Sequence, residues 1–72
     1  MRFKWKEFGK DLRNNRIHYF LTLTEAARRQ KIPIATWSRA ENGKPIAAAT
    51  LVFLCGWLCN DPTQYLTRSP RP

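Results

Sequence analysis

Apolar residues recur near the start of the chain at Trp5, Phe8 and Leu12, and Asn15 continues the series. Spacings of three and four put them on one stripe of a helix, with Lys6, Lys10, Arg13 and Arg16 around it. The pattern predicts a first helix over residues 4–18. Gly9 lies inside it, where glycine costs ~1 kcal/mol against alanine. A glycine retained at that cost predicts close approach of another element.

Thr22-Leu23-Thr24-Glu25 has the form of a capping box, with the Thr22 hydroxyl serving the Glu25 amide and Glu25 reaching back. A second helix is predicted from there to residue 30. Its Ala26 and Ala27 are small enough to admit a neighbour. Lys31 and Ile32 form a turn. Pro33 cannot continue the second helix but suits the first turn of a third, over 33–41. Asn42-Gly43 ends that helix, since both residues tolerate a left-handed backbone. Trp37 and Ala40 then face inward, leaving Ile34, Ala35, Ser38 and Arg39 outside.

A fourth helix is predicted over 47–59, with Leu51, Leu54, Cys55 and Leu58 as its core stripe. Val52, Phe53, Gly56 and Trp57 cover the remaining surface, so this helix is apolar nearly all round. A chain of 72 residues has too little protein to cover both faces. Asp61 and Pro62 cap a last short helix, against which Tyr65 and Leu66 pack back. Residues 1–66 read as one domain and 67–72 as a disordered tail.

Charge narrows the class of partner. Thirteen Lys and Arg stand against five Asp and Glu, a formal net charge of +8. Nucleic acid is the first polyanion this balance suggests and an anionic membrane surface the second. The longest uncharged run, residues 46–59, is short of the ~20 residues that span a bilayer. Lys4, Lys6 and Glu7 interrupt Phe3, Trp5 and Phe8, so no leader-like apolar core forms. Cys55 and Cys59 are four apart on one helical pattern, and His18 is the only histidine. That is a poor disulfide and half a metal site. Both thiols are expected to be reduced and buried, in a cytoplasmic protein without cofactor, metal or small-molecule ligand. No nucleophile–base set or phosphate loop is visible, so an enzyme is not expected.

With these elements in hand, the chain resembles the Cro and phage-repressor (XRE-like) helix-turn-helix family over residues 8–66. The resemblance rests on Phe8-Gly9-Lys10, Leu12-Arg13, Leu21-Thr22, Ala27, Ile32, Thr50-Leu51 and Leu54-Cys55. Its strongest piece is Ser38-Arg39-Ala40-Glu41-Asn42-Gly43-Lys44, very like the family's S-R-I-E-N-G-K. It implies an all-α, compact five-helix repressor-like domain, with the helix-turn-helix at helices two and three. It also implies a homodimer that binds double-stranded DNA and regulates transcription, at the nucleoid of a bacterial or phage-infected cell. Half-sites would lie about one helical turn apart, near 34 Å. Lys31 stands where the family has glycine, which makes the turn strained at roughly 1–2 kcal/mol or differently shaped. Leu23 replaces a DNA-contacting glutamine, Gln30 an apolar residue and Pro33 a Ser or Thr cap. Trp37 is larger and Ala40 smaller than the family's residues.

Arg39 is the first candidate for base contact, because guanidinium can donate two parallel hydrogen bonds to guanine. A phosphate contact or a surface pair is its alternative. Ser38 and Thr36 offer hydroxyls to a base or phosphate. Ile34 and Ala35 can only press on thymine methyls or cover the groove. Phosphate contacts are expected at Asn42, Gly43 and Lys44, where the resemblance implies free backbone amides, and at the start of the second helix, Thr22 and Leu23. Arg13 and Arg16 are further candidates, with a solvated face as the alternative. Phe53, Trp57, Val52 and Tyr65 are assigned to a homodimer interface, the alternative being packing against Phe3 and Trp5. Two other functions compete with a DNA-binding regulator. One is an antitoxin-like or accessory protein-interaction module with secondary DNA binding. The other is a membrane-surface protein led by Trp5, Lys4 and Lys6.

Overall fold

The computed structural model describes residues 2–67. A two-residue strand β1 (Arg2–Phe3) leads into α1 (Trp5–His18), α2 (Leu23–Gln30), α3 (Ile34–Glu41) and α4 (Ala48–Leu58). A single 3-10 turn (Pro62–Tyr65) and a second short strand β2 (Leu66–Thr67) follow. The described chain is therefore mostly helical, but the expected fifth helix is only this turn. Asp61 caps it as anticipated, accepting from the Thr63 amide at 3.0 Å.

The sequence pattern did not predict the strands. β1 and β2 pair antiparallel, with Arg2 opposite Thr67 and Phe3 opposite Leu66. Thr67, assigned to a disordered tail, is thus in a ladder; the rest of that tail, 68–72, lies outside the described residues. The pairing brings Phe3 against Trp5, Phe8 and Tyr65, with ring centroids 4.4, 5.7 and 5.6 Å away. An aromatic cluster thereby closes one end of the molecule.

The core comprises Phe8, Leu12, Ala26, Ala27, Ile32, Trp37, Ala40, Leu54, Cys55 and Tyr65. Helix α3 packs across α1 and α2, while α4 packs on α1 and supports the 3-10 turn. Gly9 explains how α1 and α3 approach. A Cβ there would lie 2.8 Å from the Glu41 carbonyl oxygen and closer still to that of Ala40. Both obstacles are main chain and cannot swing aside.

Each α-helix ends by the same device, a left-handed residue that lets the next amides return to the last carbonyls. These residues are Phe20 (φ 57°), Lys31 (φ 58°), Gly43 (φ 78°) and Cys59 (φ 60°). Only one is glycine, so the other three carry roughly 1–2 kcal/mol of strain each. At Lys31 the chain accepts the strained alternative: the Ile32 amide still donates to the Ala27 carbonyl, at 2.9 Å. Both cysteines are free, but only Cys55 is buried; Cys59 is exposed because it is the left-handed cap of α4. Burial pushes the Cys55 thiol pKa upward, and the Asp61 charge adds to this. No helix among the described residues is long and apolar enough to cross a membrane.

Candidate nucleic-acid interface

Helix α3 divides into two sides. Trp37 and Ala40 are fully buried, while Ile34, Ala35 and Arg39 are exposed and Ser38 is half-buried. At 100° per residue, Ile34, Ser38, Ala35 and Arg39 form one continuous outer stripe. Thr36 lies off that stripe. It lines a shallow cleft with Arg39, Pro45, Ile46, Ala47 and Thr50, so it flanks the outer face and does not lead it.

The inner side holds the decisive charge arrangement. Glu41 turns inward and accepts from Arg16 Nε at 2.6 Å and Arg16 Nη2 at 3.0 Å. It also accepts from Trp37 Nε1 at 2.7 Å. Arg16 Nη1 donates to the Leu21 carbonyl at 2.9 Å. The side chains of Arg16 and Glu41 are only 14% and 7% exposed. Such a two-pronged pair is strong because both partners are charged and the geometry is fixed. The hydrogen bond to Glu41 also raises the Arg16 pKa, so it stays charged. Arg16, expected on phosphate, is thus spent on holding α1, α3 and the end of the α1–α2 loop together.

With Glu41 neutralised inside, α3 presents no acid outward. Arg39 enters no ion pair among the described residues; the pairs found there are Lys4–Glu7 and Arg16–Glu41. Lys6, Gly9, Arg13 and Arg16 are spaced three, four and three apart, so they share one stripe of α1. That stripe meets the end of α3. A Cβ on Gly43 would lie 3.0 Å from Lys6 Cγ, and Gly9 abuts Ala40 and Glu41. Arg13 is exposed on this stripe, and Lys6 and Lys44 are exposed at its meeting with the α3 cap. The sequence reading overlooked Lys6. Its signal was the shared stripe with Gly9, legible once Gly9 marked the helix crossing.

The cap itself differs from expectation. The Gly43 amide donates to the Ala40 carbonyl at 3.1 Å and the Lys44 amide to that of Arg39 at 2.9 Å. The Asn42 amide donates to the Ser38 carbonyl at 3.0 Å. All three amides are therefore consumed in ending α3 and none is free for phosphate. The groups left here are the Lys44 ammonium and the Asn42 side chain, the latter 3.4 Å from Ser38 Oγ. Gly43 serves by its left-handed backbone and its closeness to Lys6.

Thr22 is likewise occupied. Its amide donates to Glu25 Oε1 at 2.8 Å, and its hydroxyl accepts from the Glu25 amide at 3.1 Å. The Thr22 amide first, and then the Thr22 hydroxyl beside the carboxylate, lower the Glu25 pKa. The Leu23 amide, in the first turn of α2, has no carbonyl partner inside the helix.

The four residues assigned to a dimer interface separate. Tyr65 is 4% exposed and its hydroxyl donates to Asp11 Oδ2 at 2.7 Å, so it belongs to the core. Trp57 packs edge-on against Trp37, with centroids 5.3 Å apart, and lies beside Tyr19 at 6.3 Å. Neither Trp57 nor Phe53 reaches the Phe3–Trp5 cluster offered as the alternative; that cluster covers Phe8 and Tyr65. Val52 and Phe53 remain outside, 59% and 52% exposed. They share the outer face of α4 with Ala48, Ala49 and Gly56, and a Cβ added to Gly56 would meet nothing within 4 Å. The α4 segment AATLVFLCGWL contains no charged residue.

Comparison with known protein families, curated proteins and solved structures gives no match to this chain.

Proposed function

We propose that this chain is a sequence-specific DNA-binding regulator of transcription, of the Cro and phage-repressor kind. Helices α2 and α3 would form its helix-turn-helix, with the outer stripe of α3 in the major groove. The observation that carries this reading is the inward turn of Glu41. The one acid of α3 is held by Arg16 on the inner side, and Arg39 enters no ion pair among the described residues, on a face flanked by Lys6, Arg13 and Lys44. A cationic rim around an exposed helix is the electrostatic footprint of a groove reader. In this reading Arg39 contacts guanine, Ser38 assists, and Lys44, Lys6, Arg13, Asn42 and the Leu23 amide contact phosphate.

A homodimer on an inverted repeat follows if the α4 face of Val52, Phe53 and Gly56 is covered by a second copy. A +8 chain repels its own copy least where no charge is present. The same apolar face supports a second reading, a protein-interaction module of the antitoxin-like or accessory kind.

Selection of bound duplexes from a random pool, followed by fluorescence anisotropy over a salt series, tests the leading reading. The expected result is one preferred half-site repeated with two-fold symmetry, and affinity that falls steeply with salt. Equal affinity for every duplex at physiological salt would remove it in favour of the second.

A further inference from the structure

The outer stripe of α3 is chemically uneven. Its first turn carries Ile34, 49% exposed, beside exposed Ala35, and its last carries Arg39. The preceding Pro33 has no side-chain donor and makes no side-chain cap. Nothing in the first turn of this face can therefore form a side-chain hydrogen bond to a base edge. Ile34 offers the largest apolar side chain of a stripe that ends in the exposed Arg39, and any partner of this face must meet both. A second copy is a poor cover, because Arg39 on the same stripe would meet its own like charge.

We propose that Ile34 reads the C5-methyl group of a pyrimidine in the major groove, with Ala35 as the small neighbour that lets the base edge approach. This rests on the DNA-binding reading above and deepens it. That methyl is the one apolar feature of the major-groove edge, and thymine carries it. A 5-methylcytosine presents the same group, so methylation of a cytosine at that position strengthens binding. Specificity at one end of the half-site thus comes from a hydrophobic contact and at the other from the Arg39 hydrogen bonds. Burying one methyl corresponds to about fourfold in affinity.

The test uses the full chain and its selected duplex. Each thymine is replaced in turn by uracil, which removes only the methyl. Separately, cytosine and 5-methylcytosine are compared at the responsive position. The expected result is one thymine per half-site whose loss of methyl weakens binding about fourfold, with 5-methylcytosine recovering that factor over cytosine. In Ile34→Ala the thymine-to-uracil ratio falls to one while the melting temperature is unchanged. In Arg39→Ala affinity falls on both duplexes and the ratio persists. Specific binding with no thymine–uracil difference, or a difference that persists in Ile34→Ala, overturns the proposal and leaves DNA recognition intact. Failure to select any duplex overturns the DNA reading itself.

Discussion

Arg16 on the inner side of the α1–α3 seam and Arg39 on the outer side of α3 carry the same guanidinium, yet they have opposite fates. On the inner side, Arg16 donates to Glu41 and to the Leu21 carbonyl, and Trp37 Nε1 holds Glu41 from the other side. On the outer side, Arg39 meets no acid among the described residues. Position on the helices decides both outcomes, since Arg39 and Glu41 are two residues apart and face different sides of α3. Glu41 gives the seam between α1 and α3 a two-pronged ion pair with Arg16, while the outer stripe of α3 carries Arg39 and no acid. On the proposed reading, stability belongs to the inner side of α3 and DNA binding to the outer, and substitutions should separate them.

The largest effect is expected where the seam is tightest. Gly9→Val places side-chain carbon against the Ala40 and Glu41 carbonyls, which are main chain. The expected loss is at least ~3 kcal/mol, read as a collapsed or absent thermal transition. A variant that melts like the parent would mean that α1 and α3 do not meet at Gly9.

Removing the pair's charge comes next. Glu41→Gln leaves Arg16 largely buried without a counter-charge and should cost about 2 kcal/mol in chemical denaturation. The double variant Arg16→Met, Glu41→Gln should recover part of that loss, since an apolar replacement leaves no stranded charge. Additive losses would show that the two side chains do not act as a pair.

A pH series probes the inner side through the buried Tyr65. Burial, with the Asp11 hydrogen bond, pushes the Tyr65 hydroxyl up to about 12 from its ordinary 10.0. The folded state therefore favours the neutral phenol. That stabilisation is complete below pH 10.0 and is lost as pH rises toward about 12. At the acid end the Glu25 pKa is depressed by its hydrogen bonds to Thr22, and the Asp61 pKa by those from Thr63. Their contribution is present above ordinary values of 4.5 and 3.8 and is lost on acidification below them. Denaturant midpoints across pH, compared with Tyr65→Phe, check the alkaline arm. A parent curve identical to the variant's above pH 10 would contradict it.

The smallest effect falls on the helix ends. Lys31→Gly relieves a left-handed lysine at α2 but adds freedom to the unfolded chain. The expected net gain is about 0.5 kcal/mol. A loss would place the Lys31 backbone elsewhere.

Much of the fold was legible from periodicity and caps. The Thr22–Glu25 box, the inward Trp37 and Ala40, and the approach at Gly9 follow from local chemistry. The strand pair was not legible: two residues at each end carry no period, and only the chain ends coming together creates the ladder. The candidate site was legible as a face but not as an inventory. Ile34, Ala35, Ser38 and Arg39 fall outside by spacing alone, whereas Arg16 and Tyr65 each depend on a partner far along the chain. No local pattern announces that Glu41 will take Arg16 or that Asp11 will take Tyr65. The Asn42-Gly43-Lys44 amides illustrate the opposite limit. The same signal that marks a helix end implies that the cap will use its own donors.

The most direct test is the Arg39→Ala variant, measured for both DNA affinity and melting temperature on the selected duplex. The expected result is an affinity loss of about tenfold to a hundredfold, while the melting temperature stays that of the parent. Parental affinity in Arg39→Ala would contradict the assignment of binding to the outer side of α3.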